Sequence, residues 1–317
     1  MDETLKQTTG NLLMVRPANF GFNEQTAESN TFQKKDPSLS ADLIKLNALK
    51  EFDAFVAVLT DNGIKVHVLE DTANPVKPDA IFPNNWVTFH QNGAVITYPM
   101  YAPARRPERR SDIIEYLKSH FITKREHHLE FFEAKNKFLE GTGSMILDRI
   151  NKIVYACISP RTDASLLEEF CLMTDYEKVQ FSAVDEEGKD IYHTNVMMAI
   201  GETFVVICLD SIKSEKEREI LLNSFSKTNK KIIEITFDQV LAFAGNMLHV
   251  RNDKEDTFLV MSEQAYLSLT EAQIRQISKH TDIIYSPINT IETYGGGSAR
   301  CMMAEIFLAE RENGTDH

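Results

Sequence analysis

One thiol in the sequence has an unusual setting. In Glu292-Thr-Tyr-Gly-Gly-Gly-Ser-Ala-Arg-Cys301, three consecutive glycines strip every Cβ from the backbone just ahead of Cys301. Such backbone can pass close to a ligand or to another strand and can adopt φ > 0. A thiol beside it is a candidate nucleophile. Taken alone, the stretch is also a Gly-rich turn before a last core strand that holds a buried Cys. An imidazole in Tyr192-His193-Thr-Asn195 and a carboxylate in Phe138-Leu-Glu140-Gly-Thr-Gly143 occupy comparable settings, each just ahead of an apolar run. Cys, His and an acid distant in sequence are the set that thiol catalysis needs. The imidazole accepts and returns protons, and the carboxylate holds the imidazole or the substrate.

Whether these residues meet depends on the elements that carry them. Four times a small polar residue opens an apolar run, a turn follows, and a second apolar run returns. These pairs are Asn85 to Phe89 with Ala94 to Tyr98, Gly143 to Leu147 with Ile153 to Cys157, Asn195 to Ile200 with Phe204 to Cys208, and Asn246 to Val250 with Thr257 to Met261. Ser298 begins a fifth copy that has no returning run. The openers Asn85, Ser144, Asn195, Asn246 and Ser298 recur at roughly fifty to sixty residues, a period that marks a propeller or solenoid array. Helical stretches are predicted between the pairs: Arg106 to His120, Thr162 to Met173, Ser214 to Phe225 and Ser262 to His280. Short apolar runs such as Lys231 to Thr236 and Asp282 to Tyr285 follow them. Each unit therefore reads strand, strand, helix, strand.

The run Asn11 to Val15 can supply the fifth unit's missing strand and close a ring, which removes exposed sheet edges. The competing architecture, a doubly wound sheet with hairpin insertions, gives no account of the repeated polar opener. Leu39 to Asn62 carries a helical apolar stripe closed by Asn62-Gly63, and Ile64 to Leu69 is a strand. The polar stretch Asn19 to Pro37 is too long for an ordinary connection, as lids and binding loops are. In a ring of five units, equivalent positions converge on one central mouth. That mouth would gather Glu140, His193 and Cys301 from three different units.

Composition bounds the function. Lys and Arg number 34 against 47 Asp and Glu, and the net charge of −13 disfavours nucleic-acid binding and leaves a small-molecule partner as the expectation. No apolar run is long enough to span a bilayer and no secretory leader opens the chain, so no membrane partner and a cytoplasmic location are expected. Four scattered cysteines, Cys157, Cys171, Cys208 and Cys301, show no metal-ligand spacing and read as free thiols, Cys157 and Cys208 as core. His127-His128 reads as a solvated face. Arg105-Arg106-Pro-Glu-Arg109-Arg110 could bind an anion but reads first as a solvated helix start, and Arg311 to His317 as a frayed tail.

The residues quoted so far, taken in order, resemble the guanidine-modifying (amidinotransferase and arginine deiminase) superfamily, whose fold is the five-bladed α/β propeller called a pentein. Within it the citrulline-utilisation hydrolases are similar through Val15-Arg-Pro17, Asn23…Thr26-Ala27…Asn30…Phe32-Gln33, Pro78-Asp-Ala-Ile-Phe-Pro-Asn-Asn-Trp86, Leu139-Glu-Gly-Thr-Gly-Ser144, Ser159-Pro-Arg-Thr162 and Gly295-Gly-Gly-Ser298. The likeness covers nearly the whole chain and implies a single amidinotransferase-like domain over 1–317, folded over 10–310. It implies Cys301 as nucleophile, His193 as general acid/base and Glu140 as a carboxylate on substrate nitrogen or on the imidazole. Arg161 matches a clamp for a substrate carboxylate, a role that suits a guanidinium fork. Asp79, Asn84, Asn85 and Asn195 fall at substrate-binding positions, no metal or organic cofactor is implied, and a homo-oligomer is compatible.

The departures bear on substrate. Arginine deiminases grip the guanidinium with carboxylates where this chain has Asn84 or Asn85, and Asn195. A buried charge left without its partner costs about 3–5 kcal/mol, so amides at these places suit a neutral ureido group. Its carbonyl oxygen needs a donor, which Asn has and Asp lacks. The expected activity is hydrolysis of a ureido or guanidino amino acid, citrulline-like by preference, through a thiouronium or thiocarbamate on Cys301. The alternatives are an amidinotransferase, an arginine or dimethylarginine deiminase-type enzyme, or a non-catalytic binding protein like the ribosome-binding initiation factor that shares the fold.

Overall fold

The apolar runs become strands that pair in one repeated pattern. In the computed structural model, which describes residues 4–27, 30–35 and 38–311, fifteen strands form five three-stranded sheets. In chain order they are β1 (Asn11–Arg16), β2 (Lys65–Glu70), β3 (Val87–Phe89), β4 (Ala94–Thr97), β5 (Arg125–His128), β6 (Ile146–Asp148), β7 (Ile153–Cys157) and β8 (Glu177–Phe181). There follow β9 (Met198–Ile200), β10 (Phe204–Ile207), β11 (Lys231–Glu234), β12 (Leu248–Arg251), β13 (Thr257–Ser262), β14 (Asp282–Ser286) and β15 (Ala304–Glu305). Four sheets follow one recipe. A first strand turns back into an antiparallel second, a helix crosses over, and a third strand adds in parallel to the second, as in β6-β7-β8.

The fifth sheet uses both ends of the chain. β15 pairs antiparallel with β1, Ala304 opposite Leu13, and β1 pairs in parallel with β2 across the helix Ala41–Asp61. The strand Asn11–Arg16 thus stands where the fifth unit's own returning strand would be. First strands of different sheets lie against one another: β6 on β9, β9 on β12, and β15 on β3.

Burial explains why these segments are strands. β7 is buried at all of its positions, because it is paired on both edges and covered by the helix Ala164–Thr174, and a strand so enclosed reads as an unbroken apolar run. The outer strand β5, Arg-Glu-His-His, is mostly exposed and gives no apolar signal. The crossover Ala41–Asp61 buries Ile44, Ala48, Phe52, Phe55 and Leu59 along one face. Each large side chain so buried contributes about 1.5–3 kcal/mol. Ser40 caps its start by accepting from the Leu43 N–H, and the left-handed Gly63 follows its end.

The structure corrects several expectations. The segment Ser262 to His280 is two helices, Glu263–Ser268 and Glu271–Ile277, because Thr270 and Gln273 form a capping box that starts the second. Arg106 to His120 is the end of a 3-10 turn, Pro103–Glu108, followed by a helix from Ser111, and the two are separated by the extended backbone of Arg109 and Arg110. The polar openers do not begin strands. Pro83–Asn85, Thr194–Val196 and Ala299–Met302 are 3-10 turns, and Gly141–Ser144 is a single helical turn, each leading into its first strand. Asn84, Asn195 and Cys301 each stand three residues before their strand, 84 before 87, 195 before 198 and 301 before 304, so Cys301 rather than Ser298 is the equivalent of Asn195.

The stretch Asn19 to Pro37 holds a short helix, Glu24–Ala27, while residues 28, 29, 36 and 37 lie outside the described residues, as does the tail 312–317. Among the described residues no helix is long and apolar enough to cross a membrane.

Candidate active site

The helical turns ahead of the first strands bring the candidate residues together. Cys301 is buried on its turn, and two side-chain amides donate to its sulfur, Asn246 Nδ2 at 3.2 Å and Asn195 Nδ2 at 3.4 Å. Asn246 is fixed by its own bonds, Nδ2 to the Asn195 carbonyl at 3.0 Å and Oδ1 from the Arg300 N–H at 3.0 Å. N–H donors aimed at sulfur bond more strongly once negative charge develops there.

His193 precedes the turn Thr194–Val196, and its Nε2 lies 2.7 Å from Glu140 Oε2. Burial alone would raise Glu140. The Arg161 guanidinium at 3.5 Å and the His193 bond nevertheless hold it well below the usual carboxylate range. Burial pushes His193 down to about 4 against the opposing pull of Glu140. A neutral ring facing an ionised carboxylate carries its proton on Nε2, which leaves the Nδ1 lone pair as the base. Gly143 makes this approach possible, since a Cβ there would lie 2.4 Å from Asn85 Nδ2 and 2.8 Å from the imidazole. Glu140 Oε1 accepts from the Tyr101 N–H at 2.9 Å, so the carboxylate is held from both sides.

A third group is built from the first unit. Asp79 is buried, with Oδ2 accepting from Asn23 Nδ2 at 2.7 Å and lying 3.7 Å from Arg105 Nε, and burial raises its carboxyl. Arg105 is itself buried, bonded to Glu108 at 2.8 Å and to Asn85 Oδ1 at 2.8 Å. Burial lifts Glu108 to about 7 although Arg105 opposes the shift. The solvated helix start expected of Arg105 is therefore corrected: the turn Pro103–Glu108 folds this side chain inward to neutralise Asp79 and Glu108. Its neighbours Arg106 and Arg109 do reach the partly exposed rim, where both meet Glu133.

Among these groups lies a cavity of about 20 Å³, room for about one water. Cys301, His193, Arg161, Asp79 and Asn85 face it, together with Arg105 and Gly295 to Gly297. Asn195 stands behind the sulfur, and Asn84 lies off the cavity, donating to Thr142 Oγ1 at 3.3 Å. Arg161 stacks 4.8 Å from the Tyr192 ring centre and donates to the Thr26 carbonyl at 3.2 Å. The loop from the N-terminal stretch covers the cavity. Gly296, with φ +62, presents its carbonyl to Asn30 Nδ2 at 3.1 Å and to the Tyr192 hydroxyl at 3.0 Å.

Four buried polar atoms in and around the cavity have no hydrogen-bond partner among the described residues. Three are acceptors, Asp79 Oδ1, Asn84 Oδ1 and Asn195 Oδ1, and one is a donor, Asn85 Nδ2. Such atoms call for partners, because unsatisfied buried groups are rare. Sequence reasoning did not place Arg105 in the site, and it gave Asn246 no role beyond that of an opener expected at the central mouth. Asn246 was marked as a polar opener equivalent to Asn85, whereas nothing in the Arg-rich run distinguished the buried arginine from its neighbours.

Five repeated units with thiol, imidazole and carboxylate at one mouth define a guanidine-modifying protein of the amidinotransferase and arginine deiminase (pentein) superfamily. Within it, a family model described as N,N dimethylarginine dimethylhydrolase, eukaryotic, matches residues 16–308. The chain belongs to this family. Among solved structures, unliganded AgrE is similar with a TM-score of 0.73 at 15% identity, over 96% of this chain and 40% of its own. ArgZ, an arginine dihydrolase from the ornithine-ammonia cycle in cyanobacteria, gives 0.72 at 15% identity over 93% and 40%. A dimethylarginine dimethylaminohydrolase variant in adduct with S-methyl-L-thiocitrulline gives 0.63 at 14% identity over 93% and 99%. The chain thus spans about 40% of the length of the ArgZ and AgrE chains. At these identities the likeness is one of fold. No curated protein matches the chain in sequence.

Proposed function

We propose that the protein is a cysteine-dependent hydrolase of a small ureido or guanidino amino acid, with a citrulline-like substrate preferred. The observation that carries the reading is the shared cavity: Cys301 Sγ, held by two amide donors, and His193, whose Nε2 is bonded to Glu140, line it together. The thiolate attacks the central carbon of the ureido or guanidino group. The proton that His193 Nδ1 took from the Cys301 thiol passes to the departing nitrogen as the C–N bond breaks, leaving a thiocarbamate or thiouronium on Cys301. His193 Nδ1 then takes a proton from water, whose oxygen adds to the same carbon and releases the thiolate. Help of this acid-base kind is worth about 10²–10⁴-fold. Glu140 keeps the imidazole in the tautomer that does this, and Arg161 receives the substrate carboxylate.

The unsatisfied atoms favour the ureido form. One donor, Asn85 Nδ2, suits a single carbonyl oxygen, and the acceptor facing the cavity, Asp79 Oδ1, suits an N–H group. A guanidinium has donors only and would leave Asn85 Nδ2 unmatched. The second reading, a methylated arginine or arginine substrate, is favoured by the family match and by the carboxylate of Asp79 facing the cavity. Transfer of the intermediate to an amine instead of water remains the amidinotransferase variant of the same chemistry. In this reading the five sheets are blades of one closed propeller domain over 10–310, acting in the cytoplasm on a free small molecule. The test is a turnover screen with citrulline, arginine and methylated arginines, products identified by mass spectrometry. Faster turnover of citrulline is expected, and strong preference for arginine or its methylated forms overturns the ureido assignment.

A further inference from the structure

A second and larger cleft lies at the other end of the strands. β3 and β6 lead away from the turns Pro83–Asn85 and Gly141–Ser144 and end near His90 and Arg149, which line a cleft of about 440 Å³. This is within the size range of small-molecule sites, about 300–1,000 Å³. On a chain with a net charge of −13, the cleft gathers Lys6, Lys124, Arg149 and Lys152, and no carboxylate is among its lining residues.

The cations are incompletely neutralised. Arg149 is buried, packed 3.9 Å from the Phe307 ring centre, and its Nε has no hydrogen-bond partner among the described residues. Its Nη2 lies 3.5 Å from Glu305, a carboxylate that Arg300 also uses. Lys152 sits 4.8 Å from the Tyr176 ring centre and, among the described residues, donates only to the Thr174 carbonyl, at 3.3 Å, with Asp175 an opposing charge. Lys6 meets Glu255 at 3.5 Å on the exposed side, and no ion pair forms at Lys124 among the described residues. The positive field shows on its neighbours. His90 is held well below its ordinary value by burial, and then by Arg149, Lys152 and His127.

We propose that this cleft binds a small phosphate-bearing polyanion, its phosphate oxygens taken by Lys124, Lys152 and Arg149. Phosphate supplies several strong acceptors and up to two negative charges, which matches lysines as point charges and a guanidinium as a fork. The apolar part of the lining, Phe307, Ile122 and Ala309, leaves room for an organic portion.

The test is isothermal titration of the full chain with inorganic pyrophosphate and, separately, ADP, at about 0.15 M salt, where exposed charges are largely screened. Saturable binding at one site with a Kd at or below about 1 mM is expected for at least one probe. Equal affinity for both assigns the site to the phosphates alone, and tighter ADP binding adds the organic portion. The double variant Lys124→Gln/Lys152→Asn should weaken binding by about tenfold or more, while Lys50→Gln/Lys216→Gln on distant helices leaves it unchanged. An unaltered melting temperature and unaltered citrulline turnover show that the double variant is folded. No saturable binding of either probe, wild-type affinity in the Lys124/Lys152 variant, or an equal loss in the Lys50/Lys216 variant would overturn the proposal.

Discussion

Cys157 and Cys301 are the same side chain in two regions, both buried and both touched by side-chain donors. Cys157 lies inside β7, its thiol donating to the Ile191 carbonyl at 3.4 Å and accepting from Thr194 Oγ1 at 3.4 Å, and burial pushes it up to about 12. Cys301 lies on a helical turn, with two amide donors on its sulfur and a cavity before it that also holds His193. Burial alone therefore does not separate a structural thiol from a reactive one. The difference lies in what the sulfur faces: a protein carbonyl and a packed strand in one case, a cavity shared with a base in the other.

Breaking the comparison at its strongest point comes first. Cys301→Ala should lower kcat by about 10⁴-fold or more, measured as ammonia or amine release, because removing a nucleophile leaves only binding. His193→Ala should cost about 10²–10⁴-fold in the same assay. Asn246→Ala removes one donor from the sulfur and should cost about 10–100-fold in kcat with less change in KM, in line with about 1.5–3 kcal/mol for a hydrogen bond to a charged group. Cys157→Ala should leave kcat unchanged and lower stability by about 1–2 kcal/mol in denaturant melts. An activity loss in Cys157→Ala as large as that in Asn246→Ala would erase the distinction between the two thiols.

The pH profile sharpens it further. His193 is depressed to about 4, so it stays neutral above that value and the acid limb of kcat/KM should fall near pH 4 rather than near 6.5. The same sign holds for stability. The unfolded chain binds that proton first as pH falls, so the contribution of His193 is fully present above about 6.5 and is lost on the way down to about 4.

Much of this was legible in the residues. The repeated polar opener and returning apolar run gave the five sheets, because a strand enclosed on both edges and faces must be continuously apolar, as β7 is. Glu140 and His193 were legible just ahead of their openers and Cys301 just after Ser298, and the structure brings His193 and Cys301 to one cavity with Glu140 bonded to the imidazole. What escaped has physical reasons. β5 is polar because it lies at an outer edge, so its Arg-Glu-His-His gave no pattern. Arg105 was indistinguishable from its neighbours, since its burial is set by Asp79 and Glu108, a pairing made in space. The turns at Pro83–Asn85 and Ala299–Met302 are too short to show a period, which is why Cys301 was expected beside a strand.

The central claim is that Cys301 carries the reaction covalently. Incubating the protein with citrulline or a methylated arginine, quenching in acid within one turnover and mapping peptides by mass spectrometry tests it directly. The account predicts an adduct of the substrate fragment on the peptide holding Cys301, absent from those holding Cys157, Cys171 and Cys208 and lost on longer incubation. Turnover with an unmodified Cys301 peptide, or with the adduct on another cysteine, would contradict it.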